Sequence, residues 1–253
     1  METQASIART ARPKTVAGRL GAACATRLLL LLLLMLSTPV QAQFDFTTNS
    51  GTVTITKYTG TGGAVTIPDT TNGLPITRIG DSAFEFCANL TGVTIPNSIT
   101  SIGNSAFEFC TSLNNATIGN SVTNIGSYAF YKCTSLTNIT FPNNLTSIGD
   151  LAFCYCTSLI SITIPNSVTN IGSYAFSGCS SLTAITVVTN NSAYMSATGV
   201  LFNQSQTTLI QYPGGKAGSY TIPNSVTIIG SSAFHSCTNL TSVTISNSIV
   251  SVR

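Results

Sequence analysis

Eight cysteines, one histidine and seven carboxylate side chains are the groups in this 253-residue chain with obvious nucleophilic, acid-base or metal chemistry, and the cysteines are regularly placed. Cys87, Cys110, Cys133, Cys156 and Cys179 recur every 23 residues, each three positions after Phe84, Phe107, Phe130, Phe153 or Phe176. A sixth Ala-Phe-x-x-Cys phrase ends at Cys237, 58 residues beyond Cys179, which is one period plus 35. Self-similarity at a fixed period of about 20 to 50 residues marks a stacked repeat. With strands stacked at ~4.8 Å, neighbouring cysteines fall within the Cα separation that a disulfide tolerates. The column is therefore compatible with disulfides, with a metal site or with buried free thiols. Burial is favoured, because an invariant slot in every coil faces inward and free cysteine behaves as a small hydrophobe. No compact CxxC pair meets a second pair, as structural zinc would require.

The other reactive groups are less organised. Cys154 directly follows Phe153, in a column otherwise held by Glu85, Glu108, Tyr131, Ser177 and His235. A column that varies this much is expected to face outward, making Cys154 an accessible thiol. His235 lies in the same column several coils away, too far for a Cys-His nucleophile, and a Ser-His-Asp assembly would have to use this one histidine. Glu85 and Glu108 sit side by side in the stack. Two carboxylates at ~5 to 9 Å would suit glycoside hydrolysis, but an outer coil without a pocket makes them solvated acids. The reading is that the chain is not an enzyme, with no catalytic residue, no metal ligands and no cofactor.

These positions are set by the coil that carries them, and the segment from Leu90 to Cys110 shows how. Val93 and Ile95 alternate with Gly92, Thr94 and Pro96, the period-2 pattern of a half-buried strand. Pro96, like Pro142, Pro165 and Pro223, ends the strand because it has no amide for a ladder bond. Ile99 and Ile102 then point inward, and Gly103 supplies a flexible corner. Ala106, Phe107, Cys110 and Leu113 are spaced three and four apart, as in a single helical turn or 3-10 segment with one buried face. A coil with so many inward apolar groups cannot bury them alone. Stacked coils bury them as internal ladders, giving a rod roughly 35 Å long for seven or eight coils at the strand spacing.

The spacing Leu90-x-x-Val93-x-Ile95 is that of leucine-rich repeats. The longer phrase Ile-Pro-Asn-Ser-Val-Thr-x-Ile-Gly-x-x-Ala-Phe-x-x-Cys-x-Ser-Leu-Thr, fullest from Ile164 to Thr183, resembles the BspA-like leucine-rich repeats (LRR_5 type) of bacterial surface proteins. The resemblance covers roughly residues 64 to 253. It implies an α/β-type repeat solenoid with one short parallel strand per 23-residue coil on the concave side and short helical or 3-10 segments on the convex side. It also implies a secreted or cell-surface bacterial protein that adheres to host or matrix proteins or to other cells.

Outside the repeats, residues 1–42 read as a secretory signal. A basic stretch leads into the nine-residue apolar run Leu28 to Leu36, followed by Ser37-Thr38-Pro39-Val40-Gln41-Ala42, which suits a signal peptidase. Nine residues fall short of the ~20 that span a bilayer, so no membrane span is expected after cleavage. Half the positive charge lies in this segment. Beyond it, Lys57, Arg78, Lys132, Lys216 and Arg253 face Asp45, Asp69, Asp81, Glu85, Glu108 and Asp150. Such a chain lacks the basic stripe that nucleic acid demands.

Residues 43–63 are expected to cap the stack with one strand, Val53 to Thr56, and a glycine-rich turn, Thr59 to Gly63. Residues 64–253 form the solenoid, with an enlarged coil at 186–220 that holds a hairpin around Asn203 to Gln206 and a turn at Pro213-Gly214-Gly215. The enlarged coil is read first as part of the solenoid, with a binding protrusion as the other possibility. The last repeat, from Thr244, is incomplete and stops before its Ala-Phe segment.

The candidate binding face consists of outward strand residues. Four positions past each strand leucine stand Thr94, Thr117, Thr140, Thr163, Thr186 and Thr244, an unbroken threonine column; two positions past stand Gly92, Asn115, Asn138, Ser161, Ala184 and Ser242. Threonine suits exposed strands in any case. The hydroxyls and amides of Thr94, Asn115, Thr117, Asn138, Thr140, Ser161, Thr163, Thr186 and Thr244 would also dock a protein or glycan, as concave repeat surfaces do. With no aromatics there, strong sugar stacking is disfavoured, and one threonine column on a curved sheet suits ice poorly. The expected function is an exported, non-catalytic adhesion or protein-binding module, with a self-associating envelope protein as the alternative.

Overall fold

A computed structural model describes residues 43–253; the expected signal over residues 1–42, and Cys24 within it, lie outside the described residues. The chain opens with β1 (Phe44–Asn49), β2 (Thr52–Tyr58), β3 (Gly63–Thr66), β4 (Thr70–Thr71) and β5 (Leu74–Ile79). The regular coils supply β6 (Leu90–Thr94), β7 (Ser101–Ile102), β8 (Asn115–Thr117), β9 (Asn124–Ile125), β10 (Asn138–Thr140), β11 (Ser147–Ile148), β12 (Ser161–Ile164), β13 (Asn170–Ile171) and β14 (Ala184–Val187). After them come β15 (Tyr194–Ala197), β16 (Val200–Asn203), β17 (Thr208–Gln211), β18 (Gly218–Thr221), β19 (Ile228–Ile229), β20 (Leu240–Thr244) and β21 (Ser251–Val252).

Each regular coil therefore contributes two strands, one more than the sequence reading assigns. The longer strands stack in parallel in the order β10-β8-β6-β3, and continue as the pairs β12-β14 and β18-β20. The two-residue strands β7, β9, β11 and β13 extend a second sheet that begins with β1, β2 and β5. The second strand is the Ser-Ile pair at 101–102 and its equivalents, where one inward isoleucine per coil is too short a pattern for a period-2 signal.

The helical part of the α/β expectation does not hold: no helix is present among the described residues, and the fold is a repeat β-solenoid. The apolar three-and-four spacing is real, since Ala106, Phe107, Cys110 and Leu113 are all fully buried. The backbone that produces it is not helical, because the residues two before and two after the phenylalanine are left-handed. These are Ser82 and Phe86 (φ 56° and 59°), Ser105 and Phe109 (52° and 57°), Tyr128 and Lys132 (59° and 56°), and Leu151 and Tyr155 (53° and 60°). Alternating handedness points alternate amides along the stack instead of along a helix axis. Ser105, Phe107 and Phe109 donate to the carbonyls of Ser127, Ala129 and Tyr131 in the next coil at 2.8, 2.8 and 2.9 Å, while Glu108 and Cys110 donate three residues back. The cost of left-handed L-residues, about 1–2 kcal/mol each, is offset by bonds from every coil to its neighbour.

The core is a set of ladders along the axis. Phe84, Phe107, Phe130, Phe153 and Phe176 stack with ring centroids 4.7, 5.1, 5.2 and 5.8 Å apart. Burying one such ring contributes about 1.5–3 kcal/mol. The corner glycines act through closeness rather than flexibility. A Cβ on Gly126 would stand 2.6 Å from the carbonyl carbon of Gly103. At the N-terminal end the cap has two strands where the sequence reading gives one. β1 pairs antiparallel with β2 through a turn at Ser50 and Gly51 (φ 49° and 81°), the left-handed pair of a tight hairpin. Phe44 then packs its ring against Tyr58 and Phe84, closing the phenylalanine ladder.

The enlarged coil contains the expected hairpin, β16 with β17, preceded by a further one, β15 with β16. β17 then returns to the regular parallel stack against β19. The insertion divides the interior into a long cluster from Phe44 to Leu201 and a shorter one from Val200 to Ala233.

Candidate binding faces

The cysteine column is a buried hydrogen-bonded ladder. All seven described cysteines are free. Cys110, Cys133, Cys156 and Cys179 each donate a thiol proton to a phenylalanine carbonyl one coil back, at 3.1, 3.1, 3.2 and 3.1 Å. Burial is the leading cause that pushes the Cys110 and Cys179 thiols up to about 12, and it holds Cys133 and Cys156 well above the ordinary range. Such thiols are poor nucleophiles, since the thiolate is the reactive form.

Cys154 departs from expectation. It is buried, not outward, and burial raises its thiol to about 11 against the opposing pull of Lys132. A variable column need not be an exposed one. Here the neighbouring Tyr131, Tyr155 and Lys132 side chains gather over the coil, with the Lys132 ammonium 5.3 and 5.8 Å from the two tyrosine rings. His235 is exposed; its Nδ1 lies 3.0 Å from Ser236 Oγ, and its ring meets Tyr155 edge-on at 5.9 Å. Glu85 and Glu108 are only partly covered, on adjacent coils joined by the bond from the Phe86 amide to the Glu108 carbonyl. Among the described residues no group of three or more His, Cys, Asp or Glu side chains could hold a metal ion.

All nine residues of the candidate strand face are exposed: Thr94, Asn115, Thr117, Asn138, Thr140, Ser161, Thr163, Thr186 and Thr244. The pairing Thr94 to Thr117 to Thr140 is in register, as is Asn115 to Asn138. Thr163 pairs with Thr186, and Thr244 pairs with Thr221. Two residues missing from the sequence reading join the face: Thr66, in register with Thr94, and Thr221. Reading the column back from each strand leucine missed them because no leucine stands four before either.

The column is not unbroken. No ladder joins β10 to β12, and the hairpins of the enlarged coil separate β14 from β18. The first break falls beside Phe141, which takes the inward slot held by Ile95, Ile118 and Ile164 and packs its larger ring against Phe153 at 5.4 Å. Two hollows mark this part of the face. One, of about 190 Å³, is bordered by Asn115, Thr117, Asn138 and Thr140; the other, about 260 Å³, by Asn138, Thr140, Ser161 and Thr163 with Val188. Among the described residues neither contains an acidic or basic side chain, so both offer hydroxyl and amide hydrogen bonding around a small apolar floor.

A second, partly exposed feature escaped the sequence reading. Phe86, Phe109, Tyr131, Tyr155 and His235 form a row of rings along the turn side, with successive centroids 5.0, 5.6, 5.9 and 5.9 Å apart. Gly178 permits the last step, because a Cβ there would meet the Tyr155 ring at 2.6 Å. The signal was present in the aromatic content of the columns one and two past each phenylalanine. Their offset between the two columns hid it.

A parallel two-sheet solenoid with a leucine-phased strand in every coil defines a leucine-rich repeat protein. The sequence profile of the BspA type leucine rich repeat region matches in six copies over residues 77–206 and 212–253, and the chain belongs to that family. Its fold is similar to the T. pallidum leucine rich repeat protein TpLRR, with 29% identity over 85% of each chain and a TM-score of 0.60. A leucine-rich repeat protein from Eubacterium ventriosum is 31% identical over 81% of this chain and 58% of that one, at a TM-score of 0.69. One from Bacteroides ovatus is 29% identical over 83% and 65%, at 0.60. No curated protein of assigned function matches. Leucine-rich repeat families are generally non-catalytic scaffolds that bind protein partners. No helix among the described residues is long and apolar enough to cross a membrane.

Proposed function

We propose that the chain is an exported bacterial surface module that binds a protein ligand through the strand face between Asn115 and Thr163. The observation that carries this reading is the pair of adjacent uncharged hollows, one over the paired β8 and β10 and the other across the β10–β12 break, bordered by six of the nine candidate residues. Where β8 and β10 pair, the face is held by a parallel ladder, so docking on that part immobilises little backbone. Uncharged hydroxyls and amides give hydrogen-bond specificity with a small desolvation cost. The basic leader and apolar run at residues 1–42 support export, and the bacterial repeat proteins of similar fold support a surface setting.

The test is capture from extracellular matrix, cell-wall glycan and host-cell extracts, comparing the wild type with Thr117→Lys/Thr140→Lys/Thr163→Lys. These side chains point to solvent, so the triple variant should keep its melting temperature and lose capture. Capture that survives the three lysines would rule out the strand face. A ligand drawn only from the glycan extract would replace the protein partner with a carbohydrate one.

A further inference from the structure

The regular stack of backbone bonds stops at the coil carrying Phe176. One coil earlier, the amides of Leu151, Phe153 and Tyr155 donate to the carbonyls of Ser173, Ala175 and Ser177 at 2.9, 2.8 and 2.9 Å. The equivalent amides of the next coil, Tyr174, Phe176 and Gly178, have no acceptor among the described residues. The chain leaves the stack after β14 as β15 to β17, and the coil that would have supplied the carbonyls is replaced by the hairpins. One interrupted amide does find a substitute: the Ile171 N–H donates to the Tyr194 hydroxyl at 2.8 Å.

The open amides border a space. A cleft of about 250 Å³ lies between the segment 171–176 on one side and Thr208, Ile210, Gln211, Gly230 and Ser231 on the other. Among the described residues lining it, Arg253 alone is charged. Donors set on every second residue are matched by an extended backbone, which presents alternate carbonyls to one side. The lone guanidinium calls for a carboxylate.

We propose that this seam cleft binds an extended peptide segment bearing an acidic side chain. Alternate carbonyls of the peptide accept from the Tyr174 and Phe176 amides, and its carboxylate pairs with Arg253. This is strand addition to an interrupted ladder, at a site separate from the strand face.

The probe is the blocked peptide N-acetyl-Thr-Val-Asp-Val-Thr-amide, added at millimolar concentration to the full chain while amide exchange is followed residue by residue by NMR. Exchange at Tyr174 and Phe176 should slow at least about fivefold, because protection follows occupancy. Arg253→Ala should weaken binding about tenfold, the typical loss for one charge-assisted hydrogen bond, without altering exchange in the Phe107 to Phe153 coils. Thr117→Lys should leave peptide binding unchanged, so the outcome is independent of the strand-face proposal. Three results would overturn the inference: no protection at Tyr174 and Phe176, equal binding of the peptide with Asn in place of Asp, or the same protection from inorganic phosphate alone.

Discussion

Replacing Gly126 by alanine should destabilise the protein, and replacing Gly92 by alanine should not. Neither glycine has a positive φ. At such positions the substitution ordinarily stabilises by about 0.4–1 kcal/mol, because alanine narrows the unfolded ensemble. The surroundings decide the sign. At Gly126 a Cβ would lie 2.6 Å from the Gly103 carbonyl carbon and 2.7 Å from the Asn104 amide nitrogen, both backbone atoms held in the adjacent coil. Relief requires moving that coil, together with the bond from the Gly126 amide to the Ile102 carbonyl. Overpacking of this kind costs about 1–3 kcal/mol, which exceeds the entropic gain. At Gly92 the nearest atom would be 3.8 Å away, the Ala64 side chain, so the entropic gain stands. Thermal unfolding followed by circular dichroism separates the two. A net loss of 1 kcal/mol lowers the melting temperature by about 2–4 °C in a chain of this size, and Gly92→Ala should leave it unchanged or raise it. A Gly126→Ala protein as stable as the wild type would refute the claim that the corner glycines exist for coil-to-coil approach.

The thiol ladder makes two further tests. At pH 8 in native buffer Cys110, Cys133, Cys156 and Cys179 should resist a thiol reagent, whereas in denaturant all seven described cysteines should react; missing thiols there would reveal disulfides. Because burial raises the folded-state values above the ordinary thiol value of 9.0, to about 12 at Cys110 and Cys179, the unfolded chain loses these protons first. Stability is therefore full below pH 9 and should fall as pH rises from 9 towards 12, and a urea midpoint constant over that window would contradict the buried assignment. Phe130→Ala, which removes a ring stacked on both sides, should cost about 3–5 kcal/mol. A loss below 1 kcal/mol would show that the coils do not depend on a continuous phenylalanine ladder.

Much of the architecture is legible in the chain because the repeat is read redundantly. Six Ala-Phe-x-x-Cys phrases fix the register, and the buried slots at Phe107, Cys110, Leu113, Ile99 and Ile102 follow from it. The helical expectation fails because spacings of three and four are shared by any tight turn that returns side chains to one side. Only φ distinguishes them, and no residue type at Ser105, Tyr128 or Leu151 announces a left-handed backbone. Cys154 misleads because its exposure depends on the Lys132, Tyr131 and Tyr155 side chains that gather beside it, two of them from the preceding coil. β1 is missed because Phe44 and Phe46 give only one alternation before a polar run.

The sequence by itself determines which slots of the repeated phrase face inward, since a period of 23 with one strand leucine per coil leaves a single way to bury the apolar set; the variable column at Cys154 is outside what it fixes. It therefore determines the threonine and asparagine positions of the strand face. Where that face is continuous is decided in three dimensions. The larger ring of Phe141 packs on Phe153 where the β10–β12 ladder breaks, and the hairpins of residues 194–211 displace a whole coil and leave the Tyr174 and Phe176 amides facing a cleft. Those outcomes depend on how one coil meets the next, and contacts between coils do not appear in the pattern of any single repeat.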